Sequence, residues 1–268
     1  MRCALEEDLG RAGDITSDVI IPAHQSARAV IAAREGGVVA GLIAADLSFR
    51  LIDPAIRIAV EKPDGSEVDP RDVIASIEGP ARAILTAERV ALNFLGHLSG
   101  VATATHQLVT RIAGTSARII CTRKTTPGLR VLEKYAVRCG GGLNHRFGLD
   151  DAVLVKDNHI AAAGGIAAVV NALRGRLGPM VKIEIEVDTL EQLEGALALG
   201  IDAILLDNMP PETMKRAVAI TRGRAKLEAS GGVTLERVRG IAESGVDFIS
   251  SGAITHSARC LDLGLDFI

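Results

Sequence analysis

Residues 182–208 run Lys-Ile-Glu-Ile-Glu-Val (182–187), Asp-Thr-Leu-Glu-Gln-Leu-Glu-Gly-Ala-Leu-Ala-Leu (188–199), Gly-Ile-Asp (200–202) and Ala-Ile-Leu-Leu-Asp-Asn (203–208). The first piece reads as a short strand, and 189–199 carries apolar residues at helical spacing. After a turn comes a second apolar strand that ends in two polar residues. Strand, helix and strand in this order predict two parallel strands joined by a crossover helix. Working outward, the same rhythm recurs. Strand-like segments stand at 117–121, 152–155, 226–229 and 247–250, with helical patterns at 129–139, 165–175, 211–222 and 234–244. The strands are short and apolar, as strands covered on both faces should be. Six or seven such units fit a small or incomplete (β/α) barrel better than an open doubly wound sheet, which is the alternative.

Towards the N-terminus the pattern is different. Residues 1–18 are polar and end in a capped turn, Gly13 to Asp18. Strand-like pieces at 27–33, 38–41, 56–60 and 73–77 surround a helical stretch at 42–52 and a Pro/Gly/Asp-rich loop at 61–72. A long helical tract runs from about Ala81 to Ile112, in which Gly96 and Gly100 permit close packing or a bend. The expected organisation is an N-terminal α/β domain, 1–100, and a barrel domain, 101–268, with the last residues packing back on the first domain.

Composition narrows the function classes. The chain is 48% hydrophobic with 2% aromatic residues and no Trp, so its core is aliphatic. Stacking platforms for single-stranded nucleic acid are nearly absent. A net charge of −3 and a pI near 6.1 argue against a nucleic-acid or membrane-surface binder. Cys3, Cys121, Cys139 and Cys260 form no CxxC pair, so buried free thiols in a reducing cytoplasm are expected. No apolar run reaches the roughly 20 residues of a spanning helix, and the acidic start does not read as a signal peptide.

In a (β/α) barrel the chemistry gathers at the carboxyl ends of the strands. Here those ends carry Arg123-Lys124-Thr125, Lys156-Asp157-Asn158-His159, Glu184 and Glu186 before Asp188, Asp207-Asn208, Ser230-Gly231-Gly232 and Ser251-Gly252-Ala253. Every strand is followed by a polar or glycine group, which predicts a single active-site mouth. The last two groups can present bare backbone N–H groups to a phosphate. One such loop alone would be an ordinary tight turn. Two in adjacent terminal units favour phosphate. Arg123, Lys124, Arg146 and Lys156 form a cation cluster suited to an anion with several charges, since arginine offers a planar fork for carboxylates. Glu186 and Asp207 are either ion-pair partners or a hold for a ribose diol or a magnesium diphosphate. His145, His159 and His256 lack metal-ligand spacing. His145 is positioned to donate to an anion, His159 to make a structural hydrogen bond, and His256 is unassigned.

Thr122-Arg123-Lys124-Thr125, Gly141-Gly142-Leu143-Asn144-His145-Arg146, Lys156-Asp157-Asn158-His159, Glu184-Ile185-Glu186-Val187, Leu206-Asp207-Asn208 and Ser230-Gly231-Gly232 together resemble the quinolinate phosphoribosyltransferases, also called nicotinate-nucleotide pyrophosphorylases. The resemblance runs from about Leu5 to the C-terminus. It implies an N-terminal α/β sandwich plus an incomplete (β/α) barrel, the type II phosphoribosyltransferase architecture. It also implies transfer of the phosphoribosyl group of phosphoribosyl pyrophosphate (PRPP) to quinolinate with decarboxylation, in NAD synthesis, with Mg²⁺. A homodimer or larger homo-oligomer with shared sites is implied too. By resemblance, Arg89 is the arginine given to the neighbouring subunit, and Arg123, His145, Arg146 and Lys156 hold quinolinate, with Thr122 beside them. Lys124, Glu186 and Asp207 surround PRPP and its metal, and Ser230 to Gly232 and Ser251 to Ala253 hold phosphate. Lys124, Glu186, Asp207 and Lys156 are the catalytic candidates. The family usually has a further N-terminal helix before the segment matching Leu5 to Gly10. The rivals are the related pyrophosphorylase-like protein of molybdate transport, which departs around Asn-His-Arg and Lys-Asp-Asn-His, and a non-catalytic phosphometabolite-binding barrel.

Overall fold

A computed structural model describes residues 1–268. The first elements are α1 (Arg2–Leu9), α2 (Ile15–Ile20), β1 (Ser26–Ala33), β2 (Gly37–Val38), α3 (Leu42–Ile52), β3 (Arg57–Val60), β4 (Glu67–Val68), β5 (Val73–Pro80) and α4 (Ala81–Arg111). There follow β6 (Arg118–Ile120), α5 (Arg130–Cys139), β7 (Val153–Val155), α6 (Asp157–Ala163), α7 (Ile166–Arg174), β8 (Ile183–Val187) and α8 (Leu190–Ala198). The chain ends with β9 (Ala203–Asp207), α9 (Pro211–Thr221), β10 (Lys226–Ser230), α10 (Val238–Ala242), β11 (Phe248–Ser250), α11 (Ala253–His256) and β12 (Leu263–Phe267). Contacts divide the chain into two units. One is Met1–His106 with Val131–Gly141 and Ser257–Ile268, and the other is Gln107–Arg130 with Gly142–His256. No helix is long and apolar enough to cross a membrane.

The first unit holds an antiparallel sheet in the order β12-β1-β5-β3. β12 pairs with β1 from Ala29↔Phe267 to Ala33↔Leu263, so the last strand of the chain completes the first sheet. Ile31, Ile74 and Ile77 of the sheet pack with Phe49 of α3 and with Ile84 and Leu95 of α4 in one buried cluster. Each such side chain contributes about 1.5–3 kcal/mol by leaving water. α4 continues unbroken through Gly96 and Gly100. These glycines serve close approach: a Cβ at Gly100 would collide with the Arg259 carbonyl, and Leu261 N–H donates to Gly96 O at 2.9 Å. Most of α5 belongs to this unit, with Tyr135 donating to Asp64 at 2.7 Å and His97 bonded to the fully buried Glu133 at 2.8 Å.

The second unit holds six parallel strands in the order β6-β11-β10-β9-β8-β7. A doubly wound sheet would reverse its order at a switch point. Here β7 to β11 follow one another in a single rotation and β6 closes onto β11. The sheet is a barrel cut between β6 and β7. At the cut, Leu143 bridges Ile120 in parallel, giving its N–H to Ile119 O at 2.9 Å and accepting from Cys121 at 3.1 Å. Along the strands one parity (Ile183, Ile185, Val187, Ile204, Leu206, Leu227, Ala229) is buried and apolar. Two strand starts are clamped by the same device. Lys182 pairs with Asp202 and Lys226 with Asp247, both at 2.6 Å, while the second oxygen of each aspartate accepts from Ile183 N (3.0 Å) or Leu227 N (2.9 Å).

Helix α6 was not expected at 157–163. It is one short Asp-Asn-His-Ile-Ala-Ala-Ala segment without apolar periodicity, and its N-terminus is tied down where the His159 ring accepts the Lys156 N–H at 2.9 Å. That is the structural hydrogen bond anticipated for His159. None of the four cysteines is in a disulfide, and only Cys121 is fully buried, with Cys3 and Cys260 exposed.

Candidate active site

A cavity of about 390 Å³ opens in the second unit. Leu154 and Lys156 come from β7 and its end, Glu186 from β8, Leu205 and Asp207 from β9, Glu228 and Ser230 from β10, and Ser250 from β11. All have the parity opposite to the buried apolar residues, because successive side chains of a strand point to opposite faces. Thr122, Arg123 and Lys124 follow β6, and His145 and Arg146 follow the bridge that fills the cut. The cavity therefore gathers Thr122, Arg123, Lys124, His145, Arg146, Lys156, Glu186, Asp207 and Ser230 of the expected site. Gly231, Gly232, Ser251, Gly252 and Ala253 stand at the same strand ends without lining it. Arg89 is exposed on α4 and is not among the lining residues.

The two arginines are short of acceptors. Arg123 Nε is buried with no hydrogen-bond partner. Arg146 donates from Nη1 to Ala152 O at 3.2 Å. Burial and the neighbouring Arg123 charge pull the Arg146 pKa below its ordinary value, against Asp151 and Glu184. Two cations that repel one another around an unsatisfied donor favour an anion between them. Arg130 laces their loops together, giving hydrogen bonds to Thr125 Oγ1 (3.0 Å), Phe147 O (3.1 Å) and Arg123 O (3.4 Å).

The cavity also holds carboxylates. Lys156 Nζ reaches Glu186 Oε2 at 2.6 Å, and Asn208 Nδ2 donates to Asp207 Oδ2 at 2.8 Å. Asn208 is in the left-handed region (φ 52°), and a Cβ on Gly231, itself at φ 94°, would collide with Asn208 Oδ1. Only glycine fits there. Lys124 gives its N–H to Thr122 Oγ1 at 3.0 Å and its carbonyl accepts from Thr255 at 2.7 Å. Ser251 donates its N–H to Ile120 O at 3.1 Å.

His145 sits over two buried carboxylates, with Nε2 at 2.8 Å from Glu184 and 3.4 Å from Glu228. Burial pushes the imidazole pKa down, but the hydrogen bonds and charges of Glu184 and Glu228 outweigh it and carry it up to about 10. Burial, with the Glu228 charge, raises Glu184 despite the opposing His145 bond. The Arg146 N–H, aimed at His145 Nδ1 from 2.7 Å, opposes a second ring proton. The three residues bring possible metal-ligating atoms within 4.8 Å of one another, but their mutual hydrogen bonds already engage those atoms.

The family model described as quinolinate phosphoribosyl transferase, N-terminal domain, matches residues 14–99, and its C-terminal counterpart matches 101–266. The chain belongs to the quinolinate phosphoribosyltransferase family. A probable nicotinate-nucleotide pyrophosphorylase [carboxylating] of Bacillus subtilis is 46% identical over 260 residues, covering 97% of this chain and 89% of the relative. The nicotinate-nucleotide pyrophosphorylase [carboxylating] of Mycobacterium leprae is 43% identical over 99% of this chain and 95% of its own. The crystal structure of the nicotinate-nucleotide pyrophosphorylase from Ehrlichia chaffeensis superposes with a TM-score of 0.95 at 43% identity, covering 100% of this chain and 97% of the other. In this family member, reasoning from sequence missed Arg130 and Glu228 and gave Glu184 no role. Glu184 and Glu228 were detectable as carboxylates inside apolar strands at the parity of Glu186 and Ser230. Nothing in the sequence marks Arg130.

Proposed function

We propose that this chain transfers the phosphoribosyl group of PRPP to quinolinate with loss of CO₂, giving nicotinate mononucleotide and diphosphate in NAD biosynthesis. It is a decarboxylating pentosyltransferase. The observation that carries the assignment of the quinolinate end is the Arg123–Arg146 pair, with its unsatisfied buried Nε. A planar dicarboxylate supplies acceptors for both guanidinium forks. Arg123, Arg146 and Lys156 hold quinolinate, with Thr122 and His145 completing that end. Lys124, Asp207, Ser230, Gly231 and Gly232 take PRPP, with Gly252 and Ala253 at the next strand end. Ser251 has its N–H engaged elsewhere, so it supports the loop.

The ring nitrogen of quinolinate is the nucleophile, so no side chain needs to attack. Its lone pair forms the bond to ribose C1 as the C1–O bond breaks and diphosphate leaves with that electron pair. Positive charge grows on the ribose at this moment, and Glu186 and Asp207 stabilise it. Positioning two polyanions in one cavity supplies much of the remaining acceleration. The bond from C2 to its carboxylate then breaks, CO₂ departs, and the pair left on C2 takes a proton. Lys156, fixed by Glu186 at 2.6 Å, supplies positive charge for this step. Mg²⁺ suits the oxygen donors of the acidic wall. Glu186 is already paired with Lys156 and Asp207 with Asn208, which favours their holding a magnesium–PRPP complex through water. When bound, the ion neutralises diphosphate charge.

A homo-oligomer with shared sites is part of the proposal. In its support, Arg89 is exposed and absent from the cavity lining of its own chain. Ile43, Leu47 and Leu51, at i, i+4 and i+8 on α3, turn an apolar stripe to solvent. Four cysteines outside any disulfide suit a reducing cytoplasm. Purified protein with Mg²⁺, PRPP and quinolinate should form nicotinate mononucleotide. PRPP binding without product would favour a binding module instead.

A further inference from the structure

Arg130 opens α5 and is not among the residues that line the cavity. Its half-buried guanidinium gives one nitrogen to each of three acceptors. Nε donates to Thr125 Oγ1 at 3.0 Å, Nη1 to Phe147 O at 3.1 Å and Nη2 to Arg123 O at 3.4 Å. Two of these acceptors are main-chain carbonyls. One belongs to Arg123, and the other lies one residue past Arg146. A single planar group therefore joins the two loops that carry the arginines. Arg123 and Arg146 repel one another, and a third cation near them does nothing to relieve that. Its place there is accounted for by geometry. A guanidinium presents a rigid fork of donors that spans three acceptors at once, which an ammonium or an amide does not.

The loop after β6 is held at a second point. Thr255 Oγ1 donates to Lys124 O at 2.7 Å, and the Lys124 N–H donates to Thr122 Oγ1 at 3.0 Å. Lys124 thus has ties of its own, while the Arg123 carbonyl and Thr125 are tied to Arg130. Two forks that must meet two carboxylates of one rigid ring tolerate little change in their spacing.

We propose that Arg130 is a positioning residue: its guanidinium fixes the spacing of the Arg123 and Arg146 backbones, and so of the two forks that grip quinolinate, without touching the substrate. This rests on the reading of Arg123 and Arg146 as the grip for the dicarboxylate.

The test is a double-mutant cycle in the full-length enzyme, with KM for each substrate measured in Arg130→Gln, Arg123→Gln and the double variant. Arg130→Gln should raise KM for quinolinate about tenfold or more and leave KM for PRPP within about threefold. In the Arg123→Gln background only one fork is left to place, so the same change should add no more than about threefold. Arg130→Lys keeps the charge and loses the fork, and should stay within about threefold of Arg130→Gln. Thr125→Val removes one acceptor and should raise KM for quinolinate about threefold. Calorimetric binding of PRPP reports whether each variant keeps its site, and if Arg130→Gln loses it, Thr125→Val carries the test. An unchanged KM for quinolinate in the variant that carries the test would overturn the proposal. So would equal losses for both substrates, a full additive effect in the Arg123→Gln background, or full recovery by Arg130→Lys. If the wild type fails to turn over quinolinate, or Arg123→Gln leaves its KM unchanged, the assignment of the grip falls first. If both behave as expected and Arg130→Gln binds PRPP with an unchanged KM for quinolinate, the role of Arg130 alone falls.

Discussion

Arg123→Gln isolates the anion grip. The side chain can be removed without unlacing its loop, because Arg130 holds the Arg123 carbonyl, Thr125 and Phe147. What is lost is the unpartnered buried Nε and the charge beside Arg146. A hydrogen bond to a charged group contributes about 1.5–3 kcal/mol, so KM for quinolinate should rise by about 10- to 150-fold. The ligand-free protein should gain stability, since Arg146 loses a repelling neighbour. A gain of about 0.5–1 kcal/mol is of the size found when a functional site is relaxed, or a rise of roughly 1–4 °C in Tm for a chain of this size. Steady-state kinetics with each substrate varied, together with calorimetric melting, measures both. An equal rise in KM for PRPP, or an unchanged KM for quinolinate, would refute the assignment. So would a fall in Tm, since it would mean that the guanidinium stabilises the empty protein.

Three further outcomes follow from other contacts. Asp202→Ala removes an acceptor for Ile183 N–H and the Lys182 pair, and should cost about 1–2 kcal/mol at neutral pH. In the wild type, burial raises the Asp202 pKa but Lys182 and the Ile183 N–H outweigh it, so the carboxyl titrates below 3.8. The stability difference between wild type and variant should be full above about pH 5 and shrink as pH falls below about 4. A difference that grows in acid would reverse this sign. Gly231→Ala forces an L-residue to φ 94° and displaces Asn208 from Asp207. KM for PRPP should rise more than KM for quinolinate, with about 1–3 kcal/mol of lost stability, and a neutral variant would show that the loop yields. Arg89→Ala and Lys124→Ala proteins, each inactive alone, should regain part of the activity when mixed and allowed to exchange subunits. No recovery after demonstrated exchange would count against a shared site.

The alternation of apolar strands and helices was legible because each segment's pattern is local. Segments expected at 182–187, 203–206 and 226–229 lie within one residue of β8, β9 and β10. What could not be read is what long-range packing decides. Helix α6 has its N-terminus tied down by a single imidazole at Lys156. The helix expected at 234–244 shortens to Val238–Ala242 behind a turn. Within the site, charged residues after strands were easy to gather because strand ends converge in a barrel. The partners Glu184 and Glu228 were harder. They come from different strands, and their meeting at His145 depends on how the barrel curves.

The cut in the barrel is best understood with the site. A closed sheet would hydrogen-bond β6 to β7 and leave no edge there. Instead the chain after Gly142 runs beside β6, bonded at Ile119 and Cys121, and Arg146 reaches Ala152 just before β7. The gap thus becomes a berth for His145 and Arg146. Cations enter from this side, from β6, the bridging segment and β7. Carboxylates enter from β8, β9 and β10. A closed barrel of this size fills its interior with side chains from its own strands and has no room for an inserted segment. Opening one seam admits two further side chains and brings cations and carboxylates into one cavity, as a dicarboxylate and a developing ribosyl cation each require.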